Sequence, residues 1–547
     1  MSNSTKTGAK NETGAKSAGA EWWRGAVLYQ IYPRSFKDSN NDGIGDLRGI
    51  TGKLDYIASL GVDGVWLSPF FKSPQIDLGY DVEDYCAIDS LFGTMQDFDT
   101  MLKGMHQRGL KLVIDLVLSH TSNKHQWFLE SRQNATNPKA DWYVWADAKP
   151  DGTAPNNWLS VFGGTAWKFD SRRGQYYYHQ FFVEQPDLNV RNPEVQDALL
   201  GAAKFWLDKG VDGFRLDAVN HCIHDTQLRD NPVRPENERT PDRNFKHTYD
   251  MQRHVYDKSQ PETLDFLRRL RTLVDKYPDR MTIAEVGDDD NIARCVEYTG
   301  PGLLHAAYSF SLLTEKYGAG IVRKMVADFH SKGAKSWPAW TFSNHDAKRV
   351  ATRWALDGVN EAQVKMLHAL LGSLRGTVFV YQGEELGLPD VKVPFEQMQD
   401  PFGKYVWPED VGRDGCRTPL PWEKAKANGG FSEKEPWLPV PQDNQDKAVD
   451  VQEENKDSPL NFFRNFIKWR KQHQALITGD IRFLDTPEPI LAFAREKTLT
   501  VFNMGGKIES YTIPAGTKPL EGHGLPYELA STLLTLPPFG GFFGELK

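Results

Sequence analysis

Residues 61–66 read GVDGVW and residues 210–215 read GVDGFR. In each, a glycine that can end a helix is followed by a short turn that feeds an apolar, strand-like run. Runs of that kind recur along the chain: AVLYQIYP (26–33), GVWLSP (64–69), KLVIDLVL (111–118), GFRLD (213–217), MTIAEV (281–286), LHAAYSF (304–310), AWTFSN (339–344) and TVFVYQGE (377–384). Amphipathic helical patterns such as MQDFDTMLKGMHQRG and EVQDALLGAAKFWLDKG lie between them. Strands that alternate with helices build a parallel sheet. Eight such units predict an α/β protein, a closed (β/α)8 TIM barrel whose chemistry sits in the loops after the strands.

Two of those loops are too long for simple turns. Residues 121–187, with NPKADWYVWAD and the run GQYYYHQFFVEQPDLN, are long enough for an inserted subdomain after the third strand. The fourth strand is followed by an insertion near 222–260 that carries the charged, proline-bearing stretch DNPVRPENERTPDRNFKHTYD (230–250). The expected division is a flexible tail at 1–20, the barrel at 21–120 and 188–479, and an antiparallel β-domain at 480–547. A polar linker is expected at PQDNQDKAVDVQEENKDSP (441–459), before one more helix, LNFFRNFIKWRKQHQAL. The alternating runs ILAFARE, LTVFNM and SYTIP predict the closing β-domain.

Composition excludes some classes of function. A net charge of −8, with no long basic run, argues against nucleic acid as a partner. No apolar stretch approaches the roughly 20 residues of a membrane helix. The first twenty residues lack the apolar core of a secretion signal, and Cys86, Cys222, Cys295 and Cys416 show no metal-ligand spacing. These features predict a cytoplasmic protein with reduced thiols, a monomer or weak homodimer with no membrane partner.

The chemistry-bearing residues cluster at the strand ends. Side chains alternate along a strand, so Arg215 and Asp217 share one face of GFRLD while Phe214 and Leu216 take the other. Glu285 follows MTIA, Asp346 lies in TFSNHD beside His345, and His120 closes DLVLSH. Charges are costly in the packed middle of a barrel but not at its open C-terminal mouth. Carboxylates on three separate strands, with two histidines and an arginine, point to a catalytic site.

Five ordered motifs, DLVLSH (115–120), QPDLN (185–189), GFRLDAVN (213–220), AEVGD (284–288) and FSNHD (342–346), carry a resemblance. The chain resembles an α-glucosidase of glycoside hydrolase family 13, the α-amylase superfamily, in its oligo-1,6-glucosidase and maltase branch. The resemblance implies Asp217 as nucleophile, Glu285 as general acid/base and Asp346 as a third carboxylate that favours the distorted sugar ring. It implies that Arg215 orients Asp217 and that His120 and His345 hold the same glucose unit. DLGYD (77–81) resembles the segment that closes the glucose site, here with Asp77 and Tyr80. GRDGCRTP (412–419) resembles the source of an arginine partner for that Asp: Arg413, with Arg417 as the alternative. Ala218 stands where α-1,6-cleaving relatives resemble one another in a valine, which implies α-1,4 linkages.

The loop DSNNDGIGD (38–46) has oxygen-bearing side chains at its first, third, fifth and ninth positions, the spacing of a calcium loop. It resembles the family's structural calcium or magnesium site, formed by Asp38, Asn40, Asp42, Ile44 and Asp46. No organic cofactor is implied. The implied activity is retaining, exo-acting release of glucose from short α-glucosides, α-1,4-linked or sucrose, with transglucosylation in reach. The alternatives within enzymes are a dedicated α-glucosyl transferase or an oligo-1,6-glucosidase. A non-catalytic member of the family would have lost Asp217 or Glu285, and this chain keeps both.

Overall fold

The computed structural model describes residues 21–238 and 248–547; the tail and the stretch 239–247 of the insertion lie outside the described residues. Eight parallel strands form the central sheet: β1 Val27–Ile31, β2 Gly64–Leu67, β3 Lys111–Val117, β4 Gly213–Asp217, β5 Met281–Val286, β6 Ala306–Ser309, β7 Ala339–Thr341 and β8 Thr377–Tyr381. They pair in the order β6-β5-β4-β3-β2-β1-β8-β7. A parallel bridge between Ala307 and Pro338 joins β6 to β7 and closes the ring. All eight runs read from the sequence are strands of this barrel.

The repeated GVDG entry has a physical explanation in each of its residues. Gly61 and Gly210 adopt left-handed backbone, at φ 76° and 101°, where the preceding helices stop. Val62 and Val211 are buried. Asp63 Oδ2 accepts the backbone N–H of Val27, and Asp212 Oδ2 accepts that of Leu112, so each Asp caps the start of a neighbouring strand. Gly64 and Gly213 then let the next strand approach: a Cβ at Gly213 would stand 2.4 Å from the carbonyl oxygen of Met281. The barrel interior is filled by Leu28, Trp66, Val113, Ile283 and Phe379, with Trp23 and Trp337 packed against the same cluster. A larger apolar layer lies between the strands and helices such as Met95–Gln107 and Pro193–Lys209.

After β3 the chain leaves the barrel and forms a three-stranded antiparallel sheet of Trp145–Ala146, Trp167–Asp170 and Gln175–Tyr178. It returns beside His120 through an antiparallel bridge to Asp187. The C-terminal region has a five-stranded and a three-stranded sheet around Ile490, Leu499, Val501, Leu534 and Phe542. Residues 441–459 are not a linker. They contain helices Gln442–Gln445 and Val449–Glu454, with Ala448 and Gln452 buried. Gln452 donates from Nε2 to the carbonyl of Leu386, so polarity in this stretch serves buried hydrogen bonds as well as solvent. Among the described residues no helix is long and apolar enough to cross a membrane.

Two glycines should respond oppositely to alanine. Gly213→Ala forces a methyl into the β5 backbone and should cost about 1–3 kcal/mol or more. At Gly201, in the helix Pro193–Lys209, an added methyl would meet no neighbouring atom within 4 Å beyond its own helix. Gly201→Ala should stabilise by about 0.5–1 kcal/mol. Denaturant unfolding of both variants measures the contrast.

Candidate active site

The C-terminal ends of the barrel strands open into a cavity of about 720 Å³. Asp77, Tyr80, His120, Asp217, Ala218, Glu285, Asp346 and Arg413 line it. Arg215, His345 and Arg417 are not in its wall; they lie fully buried behind it, each at 1 % exposure or less.

Arg215 organises the floor. One arm, Nη1, donates to Asp115 Oδ1 and to Asp217 Oδ1, both at 2.6 Å. The other, Nη2, stands 2.5 Å from Glu285 Oε2 and also donates to the Tyr308 hydroxyl at 2.9 Å. Tyr308 passes a hydrogen bond on to Glu285 Oε1 at 3.2 Å. The backbone N–H of Ala218 donates to Glu285 Oε2 at 3.1 Å. Ala218 manages this from left-handed backbone, φ 37° and ψ 42°, a region that a residue with a Cβ rarely visits. Asp217 and Glu285, from adjacent strands, are therefore held on one guanidinium.

The titration behaviour of the pair follows from burial. Removal from water raises Asp217 to about 6, with Arg215 pulling down and Asp115 pushing up. Burial raises Glu285 further, to about 8: Arg215 opposes the shift, and the charges of Asp217 and Asp346 add to it. Asp346 goes the other way. Burial alone would raise it, but His345 and the Arg417 and Arg413 guanidiniums outweigh burial and hold it well below the usual carboxylate range. His345 is itself lowered by burial to about 3, hence neutral at pH 7, so the two arginines carry that effect.

A second network holds the opposite wall. Arg413 donates from Nη2 to Asp77 Oδ1 at 3.0 Å and grips Asp400 through Nε and Nη2. Arg417 instead donates to Asp346 Oδ1 at 2.8 Å and to the His345 carbonyl. Arg413 is thus the partner of Asp77, and Arg417 positions Asp346. His345 Nε2 lies 2.5 Å from the Tyr80 hydroxyl, and its Nδ1 contacts Gln30 Nε2 at 2.9 Å. His120 Nε2 sits 3.1 Å from Gln185 Nε2, whose amide also donates to Asp77. The aromatic rings of Phe162, Phe181 and Phe402 complete this side, with the Arg413 guanidinium over Phe162.

Four participants are not evident from the sequence. Asp115 and Gln185 sit inside motifs quoted above, and the alternation that places Asp115 on one face of its strand is the signal for the first. Tyr308 and Asp400 carry no local signal.

The loop 38–46 lies outside the cavity. Asp38 accepts the backbone N–H groups of Asn40, Asn41 and Gly43, and Asp42 accepts that of Ile44. Asp46 accepts from Ser39 and caps the helix Leu47–Thr51 through Gly49 N–H. Among the described residues no three acidic, histidine or cysteine side chains converge on one cation position. The oxygens of Asp38, Asn40 and Asp42 still share one short loop and have the hard-donor chemistry that suits calcium or magnesium.

Residues 30–479 match the family of the α-amylase catalytic domain. A probable alpha-glucosidase of Rhizobium meliloti is 49% identical, over 96% of this chain and 97% of that protein. An oligo-1,6-glucosidase of Parageobacillus thermoglucosidasius is 37% identical, over 90% of this chain and 92% of its own length. Among solved structures, the alpha-glucosyl transfer enzyme XgtA superposes with a TM-score of 0.94 at 49% identity, covering 96% of this chain and 99% of its own. A trehalose-6-phosphate hydrolase of Bacillus licheniformis reaches 0.86 at 32% identity, over 96% of this chain and all of its own.

The mutual repulsion of Asp217 and Glu285 can be measured without turnover. In Asp217→Asn one negative charge leaves the neighbourhood of Glu285, so its carboxyl should titrate below about 8. Carbon-13 NMR of labelled Glu side chains in the two proteins reads the shift. An unchanged Glu285 would mean that the charge of Asp217 does not contribute to its value.

Proposed function

Because the chain belongs to the α-amylase family, glycoside hydrolase family 13, we propose that it is a retaining α-glucosidase of short α-glucosides and that Asp217 and Glu285 carry its two steps. The observation that carries this reading is the pair held on Arg215, with Asp217 at about 6 and Glu285 at about 8. At neutral pH Asp217 is ionised and Glu285 protonated, the division of labour that retention needs. Retaining enzymes keep their two carboxyl groups about 5–5.5 Å apart, and a shared guanidinium favours that class over the wider inverting one.

In the first step an Asp217 oxygen attacks the anomeric carbon while Glu285 gives its proton to the departing glycosidic oxygen. The bond to the leaving group breaks as the glucosyl ester forms. In the second step the Glu285 carboxylate takes a proton from water, whose oxygen attacks the same carbon and releases glucose and free Asp217. A sugar hydroxyl in place of that water gives transglucosylation. Asp346, kept ionised by Arg413 and Arg417, is suited to grip sugar hydroxyls and favour the positive charge that grows on the ring. The Asp77–Arg413 pair across the cavity end supports attack at a non-reducing terminus, since a longer chain would have to pass through it. Ala218 presents a methyl group in the wall, which leaves room for an α-1,4-linked leaving sugar. A methyl-scale difference of this kind is worth about 1–3 kcal/mol of discrimination. The four free thiols accord with a cytoplasmic enzyme.

A product time course on maltose, isomaltose and sucrose tests the reading. The expected outcome is glucose release with α-anomer retention, faster on maltose than on isomaltose. Inverted product, or no release from any of the three, would overturn it. The pH profile of kcat/KM should be a bell. Activity falls as pH drops through about 6, where Asp217 takes up a proton, and falls again above about 8, where Glu285 loses the proton it must give.

We also propose that the loop of Asp38, Asn40, Asp42, Ile44 and Asp46 binds calcium or magnesium as a structural ion. Its place outside the cavity gives it no part in the two steps. Chelation should lower Tm while leaving kcat nearly unchanged at a temperature where the protein stays folded. Equal Tm with and without chelator, and no bound metal on elemental analysis, would remove the site.

A further inference from the structure

A second cavity lies where the last barrel helices meet the C-terminal β-domain. It measures about 410 Å³ and shares no lining residue with the catalytic cavity. Small-molecule sites span roughly 300–1,000 Å³, and this volume falls among them.

The cavity concentrates cations. Lys365 lies on the helix Glu361–Ser373, Lys468 on the helix Pro459–Arg470, and Lys456 on the turn just before the second helix. Cations nearby but outside the lining have counter-charges: Arg464 pairs with Glu453 at 2.7 Å and Lys471 with Asp63 at 3.1 Å. Among the described residues no carboxylate lies within ion-pair distance of Lys365, Lys456 or Lys468. Asp457 is the one acid in the lining, so three positive charges stand against one negative. The whole chain is net −8, and this local surplus runs against that average.

Lysines on a solvated helix face would account for the charges alone, but not for the loop that lines the same cavity. Gly522 and Gly524 adopt left-handed backbone, at φ 89° and 82°, while His523 between them does not. Backbone that alternates hand in this way forms concavities whose N–H groups bind anions. Among the described residues neither glycine N–H has a hydrogen-bond partner.

The loop is also held firmly. His523 is 2 % exposed, its Nδ1 accepts the Leu525 N–H at 3.2 Å, and its ring stacks on Tyr527 and packs against Phe543. Burial lowers His523 to about 4, so it stands there as a neutral strut. Trp469 Nε1 donates to the Glu521 carbonyl at 2.8 Å. A Cβ at Gly524 would stand 3.2 Å from Phe462, and one at Gly522 would stand 3.4 Å from Trp469. Glycine thus lets the loop lie close on an aromatic floor, with its donors fixed before any ligand arrives.

We propose that this cavity binds a phosphorylated sugar, its phosphate held by Lys365, Lys456, Lys468 and the N–H groups of Gly522 and Gly524. A compact tetrahedral oxyanion suits ammonium groups and short backbone donors. The cavity has room beyond the phosphate, and the Asn465 and Gln472 amides in its lining offer partners to sugar hydroxyls. The inference stands apart from the glucosidase reading, because the two cavities have no residue in common. A ligand here bridges barrel helices and β-domain, so its binding should raise Tm.

Calorimetric titration with glucose 6-phosphate and with inorganic phosphate, at an ionic strength held constant with sodium chloride, tests the site. Glucose 6-phosphate should bind saturably, roughly tenfold tighter than inorganic phosphate, and should raise Tm in step. The triple variant K365Q/K456Q/K468Q should bind it roughly tenfold or more weakly, three lost ion pairs of modest strength each. Asp457→Asn, which removes the opposing charge, should bind it more tightly. Lys456, Lys468 and Asp457 are exposed, and melting curves without ligand check that both variants fold. No saturable binding in the chloride-balanced buffer would overturn the proposal. So would binding unmoved by the lysine substitutions, which would place the ligand in the catalytic cavity. Equal affinity for inorganic phosphate would overturn the sugar assignment.

Discussion

A single buried guanidinium faces three carboxylates in this protein, and the chemistry of the site depends on that imbalance. Arg215 carries one positive charge, while Asp115, Asp217 and Glu285 could together carry three negative ones. In a water-excluded cluster one cation cannot hold three anions, so a proton stays behind. It stays on Glu285, where burial raises the pKa furthest and the charges of Asp217 and Asp346 add to the shift. Asp115 is stabilised as an anion by Trp66 and Tyr80 donors in addition to Arg215. Asp217 has Arg215 at 2.6 Å. The protonated acid and the ionised nucleophile are thus two sides of one charge balance.

Much of this was legible in the sequence because it follows from periodicity. The same-face relation of Arg215 and Asp217 is a period-two statement, and β4 realises it. The eight apolar runs could be located because buried parallel strands are apolar on both faces. The Asp77 partner was narrowed to two arginines by motif, and only the three-dimensional arrangement separated them: Arg413 reaches Asp77 while Arg417 turns to Asp346. Long-range partners were hidden for the same reason. Asp400 meets Arg413 through a loop whose path no local pattern encodes, and Tyr308 reaches Arg215 only because the barrel curves β6 toward β4. The segment 441–459 misled because its many polar residues resemble a linker, while the apolar Ala448 and the polar Gln452 are both buried.

Rigidity and openness are divided along the cavity. The wall of Asp77, Arg413, Asp400 and Asp346 is cross-linked by charge-assisted hydrogen bonds, a preorganised surface that suits recognition of one fixed sugar unit. The other side of the cavity, where His221 and Lys258 line it, comes from the stretch that follows β4. A barrel of this kind can keep one end constant and vary the other through its loops, since loops on the catalytic face change without disturbing the strands beneath.

The strand order also bears on how the chain is made. β1 is flanked in the sheet by β2 and by β8, and β8 is separated from β1 by most of the barrel sequence. During synthesis, one whole edge of β1 therefore waits unpaired until residues 377–381 have emerged. An apolar strand with open backbone donors and acceptors is a template for wrong partners. Arg413, later still in the chain, must follow before Asp77 has its counter-charge. The acid and nucleophile are translated before Asp346 and Arg413, so a ribosome-bound fragment would hold the reactive carboxylates with that part of the enclosure still missing.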